Sequence, residues 1–217
     1  RFILGEWCLA EGAVYDMWDP ARHIVDIIPP IVRWIGAGID YGTRNPFAAE
    51  MLGLGANGAL YLVDEYRYDS KQARRQLTDA EYSAHFRQWV NRVPVPGTRR
   101  ADGSWLLGVQ PEHVVVDPSA ASFRVQLHND GVNTVGADNS VLDGIRLVSS
   151  LLAAGKLLVH PRCKGWISEV SVYSWDEGAQ ARGDDAPIKA DDHSLDGGRY
   201  VIKTTRSVWA NSVHLAA

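Results

Sequence analysis

The chain has 217 residues, 46% of them hydrophobic and 22% charged, with a net charge of −4. That is enough sequence for one domain with a substantial core, in the composition of an ordinary globular protein. No apolar run approaches the roughly 18 residues of a membrane helix. There is no G-x-x-x-x-G-K-[ST] phosphate loop, and two cysteines, Cys8 and Cys163, are too few for a disulfide framework and read as small buried hydrophobes.

Residues 1–30 carry Gly5, Gly12 and Pro29-Pro30 without a sustained period, and read as a lead-in segment packed on the domain. Glu6, Glu11 and Asp16 interrupt any signal-peptide pattern, and a start on Arg1 reads as part of something longer or processed. Arg33 to Asp40 alternates, with Ile35, Ala37 and Ile39 expected on one face of a strand and Gly36, Gly38 and Asp40 on the other. Phe47 to Leu54 is a second strand, Asn57-Gly58 a hairpin turn with positive φ at both positions, and Ala59 to Tyr68 a third strand. Three antiparallel strands thus lead.

Thr78-Asp79-Ala80-Glu81 has capping-box spacing, and Tyr82, Phe86, Trp89 and Val90 recur at helical intervals until Pro94 and Pro96. His113 to Asp117 is a near-continuous valine run, as in a central strand covered on both faces. Helices are expected over 119–128 and 140–154, strands over 132–137 and 157–160, and a short helix over 163–170. Ser174 to Ala190 reads as a loop or hairpin, and Asp192 to Thr204 as the last helix, opened by Asp191 or Asp192 and anchored by Leu195 and Ile202. The order predicts an α/β fold, a mixed sheet with helices on both faces.

Charge is unevenly spread. Between Arg67 and Arg100 eight basic residues face three acids, a local +5 within the net −4. A basic face on an acidic body suits phosphate contact, and Arg74, Arg75, Arg99, Arg100 and Lys203 are the candidate DNA-binding residues; a solvated helix and loop would look the same. Three acids close separate elements: Asp40 and Asp117 end apolar β-branched runs, and Asp196 lies on the final helix with His193 three residues before it, on the same face. Unpaired carboxylates resist burial, and three together repel unless a divalent cation neutralises them. An Asp/His set suits Mg²⁺ or Mn²⁺, and two such ions could activate water for phosphodiester hydrolysis. The competing structural roles are a turn for Asp40, a helix cap for Asp117 and an N-cap for Asp191 or Asp192.

Four segments in order, Gly38-Ile39-Asp40-Tyr41-Gly42, Val116-Asp117-Pro118-Ser119-Ala120, Asn139 to Ile145, and Asp192-His193-Ser194-Leu195-Asp196-Gly197-Gly198-Arg199-Tyr200, resemble the C-terminal nuclease domain of the large terminase subunit of tailed bacteriophages. The resemblance covers roughly residues 34–201. It implies an RNase H-like fold and a two-metal endonuclease that cuts concatemeric viral DNA during packaging. By position, it implies that Asp40, Asp117 and Asp196 are catalytic metal-binding carboxylates, with His193 and Asp192 as further metal-site residues. It also implies an ATPase domain preceding residues 1–30, a nuclease domain over 31–217, and duplex DNA, portal protein and small terminase subunit as partners. The implied location is the cytoplasm of the infected bacterial host, and the isolated domain is expected to be a monomer. One departure is Gly197-Gly198, where the family commonly has alanine first; each glycine costs roughly 1 kcal/mol in a helix interior. The alternatives are an RNase H-like junction resolvase or strand-transfer core, and a non-catalytic module docking to the portal or another partner.

Overall fold

A computed structural model of the chain describes residues 2–3, 6–7, 12–43, 45–180 and 185–214. Gly5, Cys8 and the middle of the 174–190 segment lie outside them. Three strands, β1 (Ile31–Asp40), β2 (Phe47–Gly55) and β3 (Leu60–Tyr68), form an antiparallel meander. β4 (His113–Val116) joins β1 in parallel, β5 (Val135–Gly136) joins β4 in parallel, and β6 (Leu157–Val159) joins β3 in parallel. The spatial order is β5-β4-β1-β2-β3-β6, so β1 lies between a meander strand and a crossover strand.

Helices α1 (Asp79–Val90) and α2 (Ala121–Asn129) cover one face, where Ala37, Ile39, Met51, Val114 and Val116 meet Tyr82, Phe86, Phe123 and Leu127. Helices α3 (Val141–Ala153), α4 (Lys164–Val170) and α5 (His193–Thr204) cover the other, where Leu52, Leu62 and Val115 meet Ile145, Leu151, Trp166, Leu195 and Val201. The valine run of β4 is thus split between two cores, as its unbroken hydrophobicity required. Thr78 and Glu81 make the capping box at α1. Tyr15 and Trp18 of the lead-in belong to the α3–α5 core, with Trp18 edge-on to Trp166. No helix among the described residues is long and apolar enough to cross a membrane.

Three local expectations change. Ile35 packs with the α3–α5 core rather than beside Ala37 and Ile39, because a register shift between Trp34 and Gly36 breaks the alternation. In the β2–β3 turn only Gly58 has positive φ, +72°, and Gly58 N–H donates to Gly55 O. The connection is therefore a tight turn closed by one left-handed glycine, not a turn with two such residues. The strand expected over 132–137 shrinks to two residues, since Val132 N–H is taken by Leu127 O at the end of α2. The last helix starts at His193 as expected to within one residue, which puts Asp196 in its first turn.

Helix α5 lies flat against β1 and β2 because glycines let the backbones meet. A Cβ on Gly38 would fall inside the carbonyl oxygen of Gly197, and one on Gly36 would reach Val201. The glycine row of β1 therefore faces α5, and Asp40 continues it.

Candidate active site

Asp40 is the last residue of β1 and Asp117 the first after β4. Ile39 pairs with Val116 in parallel register, and Asp117 N–H donates to Ile39 O at 3.3 Å, so the two aspartates stand side by side at one sheet edge. Asp117 Oδ1 accepts from Ser119 N–H at 2.7 Å, fixing the turn into α2, while Oδ2 accepts from Tyr200 OH at 3.1 Å. One oxygen does the capping work and the other is turned toward α5.

The first turn of α5 supplies the remaining groups. His193 Nδ1 donates to Asp40 Oδ2 at 2.8 Å. Asp196, 6% exposed, accepts on Oδ1 from Arg199 Nη2 at 2.7 Å, and Lys189 Nζ lies 3.5 Å from its Oδ2. Lys189 also lies 3.5 Å from Asp192 Oδ2. Asp192 occupies the N-cap position but makes no side-chain cap bond. Glu169, from α4, accepts from the Ser194 and Leu195 amides instead.

The three carboxylates feel one another's charge. Burial pushes the Asp40 carboxyl up, the His193 hydrogen bond opposes this, and the charges of Asp196 and Asp117 push it further up. The Asp40 hydrogen bond raises His193 above its ordinary value, against desolvation. Tyr200 is held above the ordinary tyrosine range by burial and then by Asp196, Asp40 and Asp117 together. Behind the helix, Glu50 is wholly buried with neither oxygen hydrogen-bonded; burial and neighbouring Glu65 drive it toward the neutral acid.

Among the described residues, no three His, Cys, Asp or Glu side chains converge in a ready metal-ligand set. The hydrogen bonds supply the reason: each carboxylate is turned to a protein donor, Asp40 to His193, Asp117 to Tyr200 and Ser119, Asp196 to Arg199 and Lys189. The donor set nonetheless fits a divalent cation in chemistry: hard carboxylate oxygens, mutually repelling, with positive side chains already balancing them.

The basic candidates are not joined to this group by ion pairs among the described residues. Arg74 is an exposed turn residue with φ +50°, and Arg75 pairs with Glu81. Arg99 and Arg100 are exposed, and Arg99 lines a cleft with Trp105 and Pro96. Lys203 is largely buried and held by Asp138 at 3.1 Å and Ser140 O at 3.3 Å. Two further cations of the basic segment are paired internally, Arg67 with Glu169 and Arg87 with Asp130. A cleft of about 540 Å³ between α1 and β4, lined by Phe86, Val90 and Glu112, lies apart from the acids.

Three contributors were not singled out from sequence. Arg199 and Tyr200 stand three and four positions after Asp196, so helical spacing alone places them on its face. Lys189 precedes the helix and carries no periodic signal.

No family model matches the chain. Over 209 residues it is 25% identical to the terminase large subunit of Escherichia phage T5, covering 91% of this chain and 43% of that protein. Its structure matches the large terminase of the thermophilic bacteriophage D6E with a TM-score of 0.77 and 40% identity, covering 94% of this chain and 48% of that one. It also matches the P22 large terminase nuclease domain with a TM-score of 0.64 and 20% identity, covering 90% and 93% of the two chains. The same fold recurs in large terminase nuclease domains solved with bound magnesium, from phage G20c (TM-score 0.54, 14% identity, 88% and 97% covered), and with bound manganese, from SPP1 (0.53, 18%, 83% and 94%). The chain thus spans a little under half the length of the T5 and D6E proteins and nearly all of the isolated nuclease domains. Its fold is the RNase H-like fold of those domains.

Proposed function

We propose that this homologue of the phage large terminases is a divalent-metal-dependent DNA endonuclease that cuts concatemeric viral DNA during genome packaging. The observation that carries the reading is that Asp40 and Asp117 stand side by side at adjacent strand ends, while the helix carrying Asp196 bonds both, through His193 to Asp40 and Tyr200 to Asp117. The likeness to large terminases in sequence and fold supports it, as do related nuclease domains solved with magnesium and manganese.

Asp40, Asp117 and Asp196 would hold two Mg²⁺ or Mn²⁺ ions, with His193 and Asp192 at their margin. Bound ions would supply charge stabilisation and a water acidic enough to attack phosphorus near neutral pH. The chain's own residues do the rest. Tyr200 and the Ser119 amide orient Asp117, and Arg199 fixes Asp196 through a buried ion pair. His193 and Lys189 balance the charge of Asp40 and Asp196, and His193 would hold a proton at Nδ1 against Asp40.

In this reading the substrate is duplex DNA inside an infected bacterial cell. Residues 1–30 lead from an ATPase domain into a nuclease domain over 31–217, and portal protein and small terminase subunit are partners of the whole machine. Arg74, Arg75, Arg99 and Arg100 would contact backbone phosphates, with low sequence preference. The test is nicking of supercoiled plasmid by the 217-residue chain with Mn²⁺ or Mg²⁺. Undiminished cleavage in excess EDTA would overturn the metal-dependent mechanism.

A further inference from the structure

The first turn of α5 carries His193 and Asp196, yet the residue at its N-cap position, Asp192, does not cap it. The cap comes from α4. Glu169, 3% exposed, accepts on Oε2 from Ser194 N–H at 2.7 Å and from Leu195 N–H at 3.1 Å. Its Oε1 accepts from Arg67 Nη1 at 2.5 Å, and the same nitrogen donates to Ser194 Oγ at 2.7 Å. The two capped amides are the second and third of the helix, lying between His193 and Asp196 in sequence. Glu65, two residues before Arg67 on β3, does the same for α4, accepting from the Gly165 and Trp166 amides at 2.7 and 3.0 Å. A continuous chain of carboxylate-to-amide bonds therefore runs from β3 through α4 to the turn that presents two of the site's side chains.

We infer that Glu169, clamped by Arg67, is a positioning residue of the site: it sets the start and pitch of α5 and so aims His193 at Asp40 and Asp196 at the shared carboxylate space. The inference rests on the nuclease reading for what those groups do, and on geometry alone for how they are held. A helix whose first amides lose their acceptor frays from that end. Here fraying would move a proposed metal carboxylate and the histidine bonded to another. Partners hydrogen-bonded directly to metal ligands typically change metal affinity by roughly 10- to 100-fold when removed; Glu169 acts through the amides between His193 and Asp196, so the lower end of that range applies.

The test compares the wild-type chain with Glu169→Ala and Glu169→Gln by amide hydrogen exchange and by calorimetric titration with Mg²⁺ and Mn²⁺. In Glu169→Ala, the Ser194 and Leu195 amides should exchange roughly tenfold faster or more, beyond any change in the β2 amides, and metal affinity should fall roughly tenfold. Glu169→Gln keeps one oxygen for both amides but sets its NH2 against Arg67, so it should recover part of both quantities and lie between wild type and Glu169→Ala. Unchanged exchange and affinity in Glu169→Ala, or an equal loss of protection throughout the sheet, would overturn the inference. Should Glu169→Ala fail to fold, Arg67→Met, which frees the carboxylate from its clamp, must show the same local pattern at smaller size. If the wild-type chain binds neither metal, the nuclease reading falls, while the exchange pattern still decides whether Glu169 seats α5.

Discussion

His193 Nδ1 donates to Asp40 Oδ2 at 2.8 Å, tying the first turn of α5 to the last residue of β1 across 153 positions of sequence. A half-buried imidazole beside a half-buried carboxylate gains its proton more readily than in water, and Asp40 raises His193 accordingly. The folded value lies above the unfolded one, so the pair's stabilisation is fully present below the ordinary histidine range and is lost as pH rises through the raised value. An NMR titration should place His193 above 6.5, and Asp40→Asn should bring it down, since desolvation is then opposed by less. Mg²⁺ should lower it as well, by competing for the Asp40 carboxylate. A His193 titration that ignores both changes would contradict the pairing.

Gly38→Ala should be severe, because the new methyl would run into the Gly197 carbonyl and the Val201 Cβ, neither of which can turn aside. Overpacking of this kind costs about 1–3 kcal/mol, and lifting α5 from β1 would separate Asp196 from Asp40. Gly197→Ala is a different case: its Cβ would sit 3.1 Å from Gly38 O, a tight approach set against roughly 1 kcal/mol of gained helix propensity. Urea denaturation should show a large loss for Gly38→Ala and a change within about 1 kcal/mol for Gly197→Ala. Equal effects at the two positions would mean the contact is less tight than described.

That contact accounts for Gly197, and Gly198 lies against Trp166, whose Nε1 a Cβ would meet at 3.0 Å. Helix propensity is local and reads Gly197 as a defect, while the closeness of β1 exists only after folding. The pattern of legibility follows the same line. Asp40 and Asp117 could be picked out because a carboxylate ending a β-branched run is conspicuous, and β1 and β4 turned out to be neighbours. Glu169 could not, because it caps a helix that begins 24 positions later and nothing in its own surroundings marks it. Asp192 occupied the expected place at the helix start but left the bonding to Glu169. The misread face of Ile35 has a similar origin, since a register shift leaves no trace in the alternation of side chains.

Glu169 also carries a pH signature. Burial pushes its carboxyl up to about 7, with Arg67 and the Leu195 and Ser194 amides pulling it back. The folded chain therefore binds more protons at this site than the unfolded chain between the ordinary glutamate value of 4.5 and about 7. Stability should fall as pH rises through that window, by up to about 1.4 kcal/mol per pH unit. Denaturation of the wild-type chain and Glu169→Gln at pH 5, 6, 7 and 8 should show a shallower decline in the variant. Superimposable profiles would remove Glu169 as the source.

Lys189 lies 3.5 Å from both Asp192 and Asp196 while most of its side chain is exposed. It competes with any cation for those oxygens, at the strength of a surface ion pair, about 0.2–1 kcal/mol. Lys189→Ala should therefore tighten Mg²⁺ binding about two- to fivefold in a calorimetric titration at low salt. Weaker binding would show that Lys189 supports the metal-bound state instead of opposing it.

Asp40, Asp117 and Asp196 are proposed to act together on phosphodiester bonds through divalent metal. The most direct measurement is cleavage of supercoiled plasmid in Mn²⁺ by the wild-type chain and by Asp40→Asn, Asp117→Asn and Asp196→Asn, each first shown to be folded. Nicking and linearisation are expected from the wild type, with a loss of roughly a hundredfold or more in all three variants, since each removes a charge from one site. Wild-type rates from any one of the three folded variants, or cleavage that persists in EDTA, would contradict that joint action.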